Sequence, residues 1–313
     1  NERLECIRDV FCFCALTGLA FTDADNLQKR HITTDDSGTT WIHKPREKTS
    51  VISRVPLLPY PLKILQKYEH NPVFGGIYET CFDVSLLLEK EGTLQQVFKM
   101  WFSWRPKKAI GYTESSDGIH WKEPQVVLAP VPGSEWEADE INRPTVIKHN
   151  GKYMMWYSGQ MKPYLEDGRS VLGLAVSDDG INWERRELPV MEPDQAWELQ
   201  AVMCPHVIFD EEEACFKMWY AAGCNHEPGA IGYASSGIHW VKFAGNPVLE
   251  KTPDCLWEQH KVVAPCVVKE KGWYYMFYVG HLHEERAQVG LARSANGISG
   301  WERHPQNPLI CPT

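Results

Sequence analysis

SDDGINW, residues 177–183, decides the fold because the chain repeats it. It recurs as SSDGIHW (115–121), SSGIHW (235–240) and SANGISGW (294–301). Gly with Asp or Asn between apolar runs is turn chemistry. The closing tryptophans, Trp121, Trp183, Trp240 and Trp301, come round about every 60 residues. Working outward, each turn follows three short runs of β-branched and aromatic residues. The first runs are FDVSLLL (82–88), NRPTVI (142–147), CPHVIF (204–209) and APCVV (264–268). The second are VFKMWFSW (97–104), YMMWYSG (153–159), FKMWYAAG (216–223) and YYMFYVG (274–280). The third are AIGYTES (109–115), VLGLAVS (171–177), AIGYASS (230–236) and VGLARS (289–294), and a fourth strand is expected after each turn. Four antiparallel strands per unit, at near-constant spacing, predict a mainly β fold built of propeller blades.

The linkers repeat too: NPV at 71–73, PV at 189–190, NPV at 246–248 and NPL at 307–309. Four units therefore lie within residues 70–313. Residues 1–69 lack the pattern and read as a small α+β segment. A helical apolar face runs through Leu4, Ile7, Phe11, Leu16 and Leu19. A hairpin is expected at 31–45 with its tip at 36–38, and a second helix at 59–68.

A net charge of −9 over 313 residues argues against nucleic acid as a partner, and no apolar run is long enough for a membrane helix. The ten cysteines include no C-x-x-C pair, and several sit inside expected strands. Free buried thiols suit a reducing compartment, and with no secretory pattern near Arg3–Leu19 a cytoplasmic location is expected. Neither a metal nor another cofactor is assigned, because no local spacing supports a ligand set. The oligomeric state is not legible.

Two resemblances add to this reading. CFCALTGLAFTDADNLQKRHI (12–32) and PREKTSVISRVPLLPYPLKILQKY (45–68) resemble part of the catalytic domain of Bacteroidetes tyrosine recombinases, phage-type integrases, in which Lys48 would match a hairpin lysine. The His-x-x-Arg box and the nucleophilic tyrosine do not follow, so recombinase activity is not expected. Residues 71–313 are similar to the five-bladed propeller glycosidases, the group of glycoside hydrolase families 32, 43, 62, 68 and 130, and within it to a family 43-like branch. WFSWRPKKAIGYTESSDGIHW, INRPTVIKHNGKYMMWYSGQ, VMCPHVIFDEE and WEQHKVVAPCVV carry that similarity. It implies five blades, of which this chain supplies four, so an incomplete five-blade design is expected.

The resemblance also implies a carbohydrate substrate and hydrolysis of a glycosidic bond, which requires two carboxyl groups flanking the bond. Such proteins place one acid on the inner strand of each of the first three blades. In the first blade that position is Asp83, the expected base or nucleophile. In the second it is Arg143, with Asp139 and Glu140 upstream as orienter or acid. Arg143 beside Asn142 could clamp a carboxylate or phosphate. In the third it is Met203, which cannot donate a proton, and Glu198 and His206 are the nearest substitutes. Glu198 matches Glu137 and Glu258 in the repeat, so one structural role for all three is the competing reading. Glu258 and His260 in the fourth blade, and Trp104 and Arg105 in a basic loop, are the remaining substrate-binding candidates. The expected function is hydrolysis of furanosides, pentosides or related plant or host oligosaccharides. The alternative is a glycan-binding propeller without activity.

Overall fold

The computed structural model describes residues 32–35, 40–45, 52–56, 74–91, 95–162, 168–224, 227–236, 239–252, 254–283 and 286–310. The chain divides into two compact units, Asn1–Pro72 and Val73–Thr313. In the first, β1 (Ile32–Thr34), β2 (Thr40–Pro45) and β3 (Ile52–Pro56) form a three-stranded antiparallel sheet in that order. The expected helices at 4–19 and 59–68, the hairpin tip and Lys48 lie outside the described residues.

The second unit is four blades of a β-propeller. Blade 1 is β4 (Cys81–Glu91), β5 (Gln95–Trp104), β6 (Ala109–Ser115) and β7 (Gln125–Leu128). Blade 2 is β8 (Glu140–His149), β9 (Lys152–Gln160), β10 (Ser170–Ser177) and β11 (Glu184–Arg185). Blade 3 is β12 (Ala201–Asp210), β13 (Cys215–Cys224) and β14 (Glu227–Ser236), edged by β15 (Trp240–Lys242) and β16 (Leu249–Glu250). Blade 4 is β17 (Lys261–Glu270), β18 (Trp273–His281), β19 (Ala287–Ser294) and β20 (Glu302–Arg303). Blades 2 and 3 are joined into one sheet by a parallel pairing of Ser170 with Ala201.

The second strands of blades 2 and 3, β9 and β13, alternate their large side chains between two neighbouring blades, as a period of two requires. Trp101 and Ile110 of blade 1 meet Tyr153, Met155 and Tyr157 of blade 2. Trp156 of blade 2 meets Val207, Met218 and Tyr220 of blade 3, and Trp219 of blade 3 meets Tyr274, Met276 and Tyr278 of blade 4. The core is therefore three successive interfaces between blades.

The repeated turn serves these interfaces. Ser177 Oγ accepts the amides of Asp179 and Gly180, and Asp179 Oδ1 accepts those of Ile181 and Asn182. Ser115 and Asp117 make the same set in blade 1, and Ser294 and Asn296 in blade 4. Gly180 sits at φ 81, which a residue with a Cβ rarely adopts. Its carbonyl, thus turned, accepts the Trp101 indole of the preceding blade at 2.8 Å. Gly297 accepts Trp219 in the same way at 2.7 Å. The turn is an acceptor for the neighbour's buried indole, which would otherwise be left unpaired.

At the outer ends of the inner strands, two interfaces carry the same ionic clamp. Glu89 meets Lys99, Lys148 and the Tyr153 hydroxyl between blades 1 and 2. Asp210 meets Lys217, Lys269 and the Tyr274 hydroxyl between blades 3 and 4. Between blades 2 and 3 the matching place is aromatic, His149 lying 4.1 Å from Phe209 and 5.2 Å from Phe216 by ring centroids.

Candidate active site

The inner strands of all four blades break register at one equivalent place: between Phe82 and Ser85, Asn142 and Thr145, Met203 and His206, and Val263 and Cys266. The first residue inside each break is left-handed, Asp83 at φ 45, Arg143 at 55, Cys204 at 52 and Ala264 at 50. A bulge re-aims one side chain out of the pleat, and a non-glycine residue held left-handed costs on the order of 1 kcal/mol or more. Four such residues at one repeat position mark the place where the blades converge.

They do converge. Arg143 Nε lies 3.2 Å from Asp83 Oδ2, and its Nη1 donates to Asn142 Oδ1 at 2.9 Å. The guanidinium lies 5.5 Å from the Phe82 ring centroid. Arg143 also reaches the Cys204 sulfur, to which the Ala264 amide donates from the fourth blade. The bulge amides are held by the preceding blade: Arg143 N–H donates to Ser103 Oγ and Cys204 N–H to Ser158 Oγ. Burial pushes the Cys204 thiol up to about 11, against the pull of Arg143. At neutral pH it is a thiol, hence a poor nucleophile.

The centre is two-sided. On the side of blades 1 and 2 stand Asp83, Glu140, Asn142 and Arg143. Glu140 is half-buried, its Oε1 accepts Asn142 Nδ2 at 2.9 Å, and it acts with Asp83 on the charge of Arg143. On the side of blades 3 and 4 stand Ala201, Met203, Cys204, Ala221 and Val263, with Ala264 and Val279 packed against them. Met203 has no exposed surface. Of the residues named here, the charged ones belong to the first two blades.

The remaining expected residues fall elsewhere. Glu198 is fully buried, its Oε2 accepting the Asp194 and Gln195 amides and Lys242, its Oε1 accepting the Tyr220 hydroxyl. Glu258 is equally buried between Tyr278 and Arg303, and Glu137 between Tyr157 and Arg185. One rivet is thus used three times, joining the segment before the inner strand to the second and fourth strands. This corrects the catalytic expectation for Glu198 and the substrate-binding one for Glu258: neither carboxylate has a free face to meet a sugar. The tryptophans beside these glutamates fill slots left by glycines. A Cβ on Gly159 would lie 2.6 Å from Trp136, and one on Gly232 2.7 Å from Trp197.

Asp139 is paired with Lys108. His206 Nε2 donates to the Val267 carbonyl at 2.9 Å, tying blade 3 to blade 4. His260 lies 3.9 Å from Glu227, which pairs with Lys261, a separate polar group at the start of β17. Trp104 donates its indole to the Tyr78 carbonyl, and Arg105 lies over the Phe82 ring beside Asp83. Sequence reasoning passed over Phe82, Ser103 and Ser158. The two serines stand at one aligned position, in MWFSW and MWYSG, which is the signal that marks them. No group of three or more metal-ligating side chains occurs among the described residues.

Comparison with known proteins gives four findings. A family model described as Glycosyl hydrolases family 43 matches residues 98–313. An uncharacterized protein of Mycobacterium tuberculosis is 25% identical over 191 residues, 59% of this chain and 61% of that one. The chain thus spans about three fifths of the length of that relative. A 1,2-beta-oligomannan phosphorylase of Thermoanaerobacter is 33% identical over 85 residues, 26% of this chain and 29% of the enzyme. Among solved structures, a thermostable family-43 glycoside hydrolase superposes with a TM-score of 0.59 at 20% identity, covering 78% of this chain and 77% of that one. At that identity the likeness shows the fold alone.

Proposed function

We propose, from the premise that this chain belongs to glycosyl hydrolases family 43, that it cleaves a glycosidic bond using Asp83 and Glu140. The observation that carries the reading is the Asp83–Arg143 pair, held on two left-handed bulges where the inner strands converge. Asp83 serves as base or nucleophile at the anomeric carbon. Glu140 protonates the leaving oxygen, as the two-carboxyl mechanism requires. Arg143, anchored by Asn142 and stacked near Phe82, aims the Asp83 carboxylate. Furanosides, pentosides or related oligosaccharides remain the proposed substrates. The recombinase likeness of residues 1–69 is proposed to be a relic of gene fusion or assembly. The six described cysteines are all free, which supports a reducing compartment such as the cytoplasm.

Buried Met203, where the resemblance implies an acid, favours a second reading, a propeller that binds glycans without cleaving them. A panel of aryl-glycosides and plant oligosaccharides separates the two. On the first reading, Asp83→Asn and Glu140→Gln each lower kcat by about a hundredfold or more while glycan affinity persists. Full activity in Asp83→Asn removes that residue from the mechanism. Binding without turnover of any substrate by the unaltered protein establishes the second reading.

A further inference from the structure

Two cations without a carboxylate partner among the described residues stand on the turn after β5, one of them over the ring of Phe82, the residue before Asp83. After β5 the chain makes a single helical turn, Arg105–Lys107, and leaves it through Lys108 in a left-handed conformation at φ 51. The turn is tied down on both sides. The Arg105 amide donates to the Thr80 carbonyl at 3.1 Å, the Lys108 amide to the Arg105 carbonyl at 2.9 Å, and the Trp104 indole to the Tyr78 carbonyl at 3.0 Å. Thr80 and Tyr78 lead directly into β4, so the turn is fixed to the strand that carries Asp83.

Of the basic side chains here, Lys108 is spent on Asp139 and Arg143 on Asp83 and Asn142. Arg105 and Lys107 are exposed, and among the described residues neither has an acidic partner. Each rests instead on an aromatic ring: the Arg105 guanidinium lies 4.5 Å from the Phe82 centroid and the Lys107 ammonium 5.7 Å from that of Trp104. A ring beneath a guanidinium fixes its plane and leaves its edge, a fork of parallel N–H donors, free for a carboxylate or phosphate. An unpaired cation pair beside the site is notable in a chain of net charge −9.

We propose that Arg105 and Lys107 form a subsite for an anionic group on the sugar substrate, a uronate carboxylate or a phosphate ester. The proposal rests on the glycosidase reading for its placement beside the scissile bond. Asp83 would repel an anion at the reacting carbon, so the anionic group belongs to a remote substituent of that sugar or to the adjoining one. A bidentate ion pair on a fixed guanidinium discriminates where a screened surface lysine does not.

The test uses probe pairs differing only in charge, an oligogalacturonide with the matching oligogalactoside and glucose 6-phosphate with glucose, measured by titration calorimetry at two salt concentrations. One acidic probe is expected to bind about tenfold tighter than its neutral twin, with an advantage that shrinks in salt. Arg105→Gln and Lys107→Gln should each erase most of that preference. Lys122→Gln, which removes a lysine paired with Glu114, should leave it unchanged. A preference confined to one pair assigns carboxylate or phosphate. Equal or absent binding of acidic and neutral twins overturns the subsite, as does a preference that survives Arg105→Gln. Preferred acidic probes that are bound but never cleaved support the subsite and count against the glycosidase reading. Cleavage of neutral glycosides with no acidic preference does the reverse.

Discussion

At the scale of single residues, the centre is defined by departures from the repeat. Asp83, Arg143, Cys204 and Ala264 share one backbone conformation and four chemistries. That shared position was legible, because the prolines after Arg143, Cys204 and Ala264 align. Its geometry was not. A residue before proline reads as extended, and only the paired register shifts reveal the left-handed bulge. Glu198 shows the converse: its match with Glu137 and Glu258 in the repeat offered one structural task as the competing reading, and its four hydrogen bonds favour that reading. Arg143 is the residue whose role is most open to measurement. Arg143→Met should lower kcat by about a hundredfold and Arg143→Lys, which keeps the charge and loses the fork, by about tenfold, with KM little changed. Free guanidinium should restore part of the activity of an Arg143→Gly variant. A merely structural arginine would instead show lost folded protein and no rescue.

At the scale of elements, the inner strands extend one to three residues at each end beyond the runs that sequence periodicity marks. Apolar alternation stops at the first charged residue, and those charged ends are where the clamps lie. Lys148 and Lys269 stand next to last in their strands and reach acids on the neighbouring blade. The clamps give the fold an acid limit. Burial alone would raise the Glu89 carboxyl, but hydrogen bonds from Lys148, Tyr153 and Lys99 prevail and bring it from 4.5 down to about 2. A carboxylate depressed on folding stabilises the native state fully above its unfolded value, and that contribution is lost as pH falls from about 4.5 towards 2. Asp210 is lowered too, in the same direction, despite its burial. Urea unfolding should therefore change little between pH 7 and about 5 and weaken steeply below. Glu89→Gln should flatten part of that fall, by no more than about 3 kcal/mol. An acid limb unchanged in both Glu89→Gln and Asp210→Asn would mean the clamps are not paired in solution.

At the scale of the whole molecule, the four blades are alike in plan and unlike in setting. Leu86, Val146, Val207 and Val267 occupy one repeat position, on the face each blade turns to its predecessor. Three are packed in blade interfaces, at 3%, 1% and 1% exposure, while Leu86 is 39% exposed, with Val84 and Leu88 beside it. The repeat in sequence could not distinguish these sites, since it encodes what a blade offers and not what meets it. The difference has an energetic consequence. Truncating Val207 opens a cavity between two sheets, so Val207→Ala should cost about 2 kcal/mol or more. Leu86→Ala removes a larger side chain and should cost less than about 1 kcal/mol, because solvent already surrounds it. Chemical denaturation of the two variants decides the matter. Equal losses would show that Leu86 is covered in solution, and that the face of blade 1 beside Asp83 is an interior surface. A small loss at Leu86 would show that this face of blade 1, unlike the matching faces of the other three, meets solvent and not another sheet.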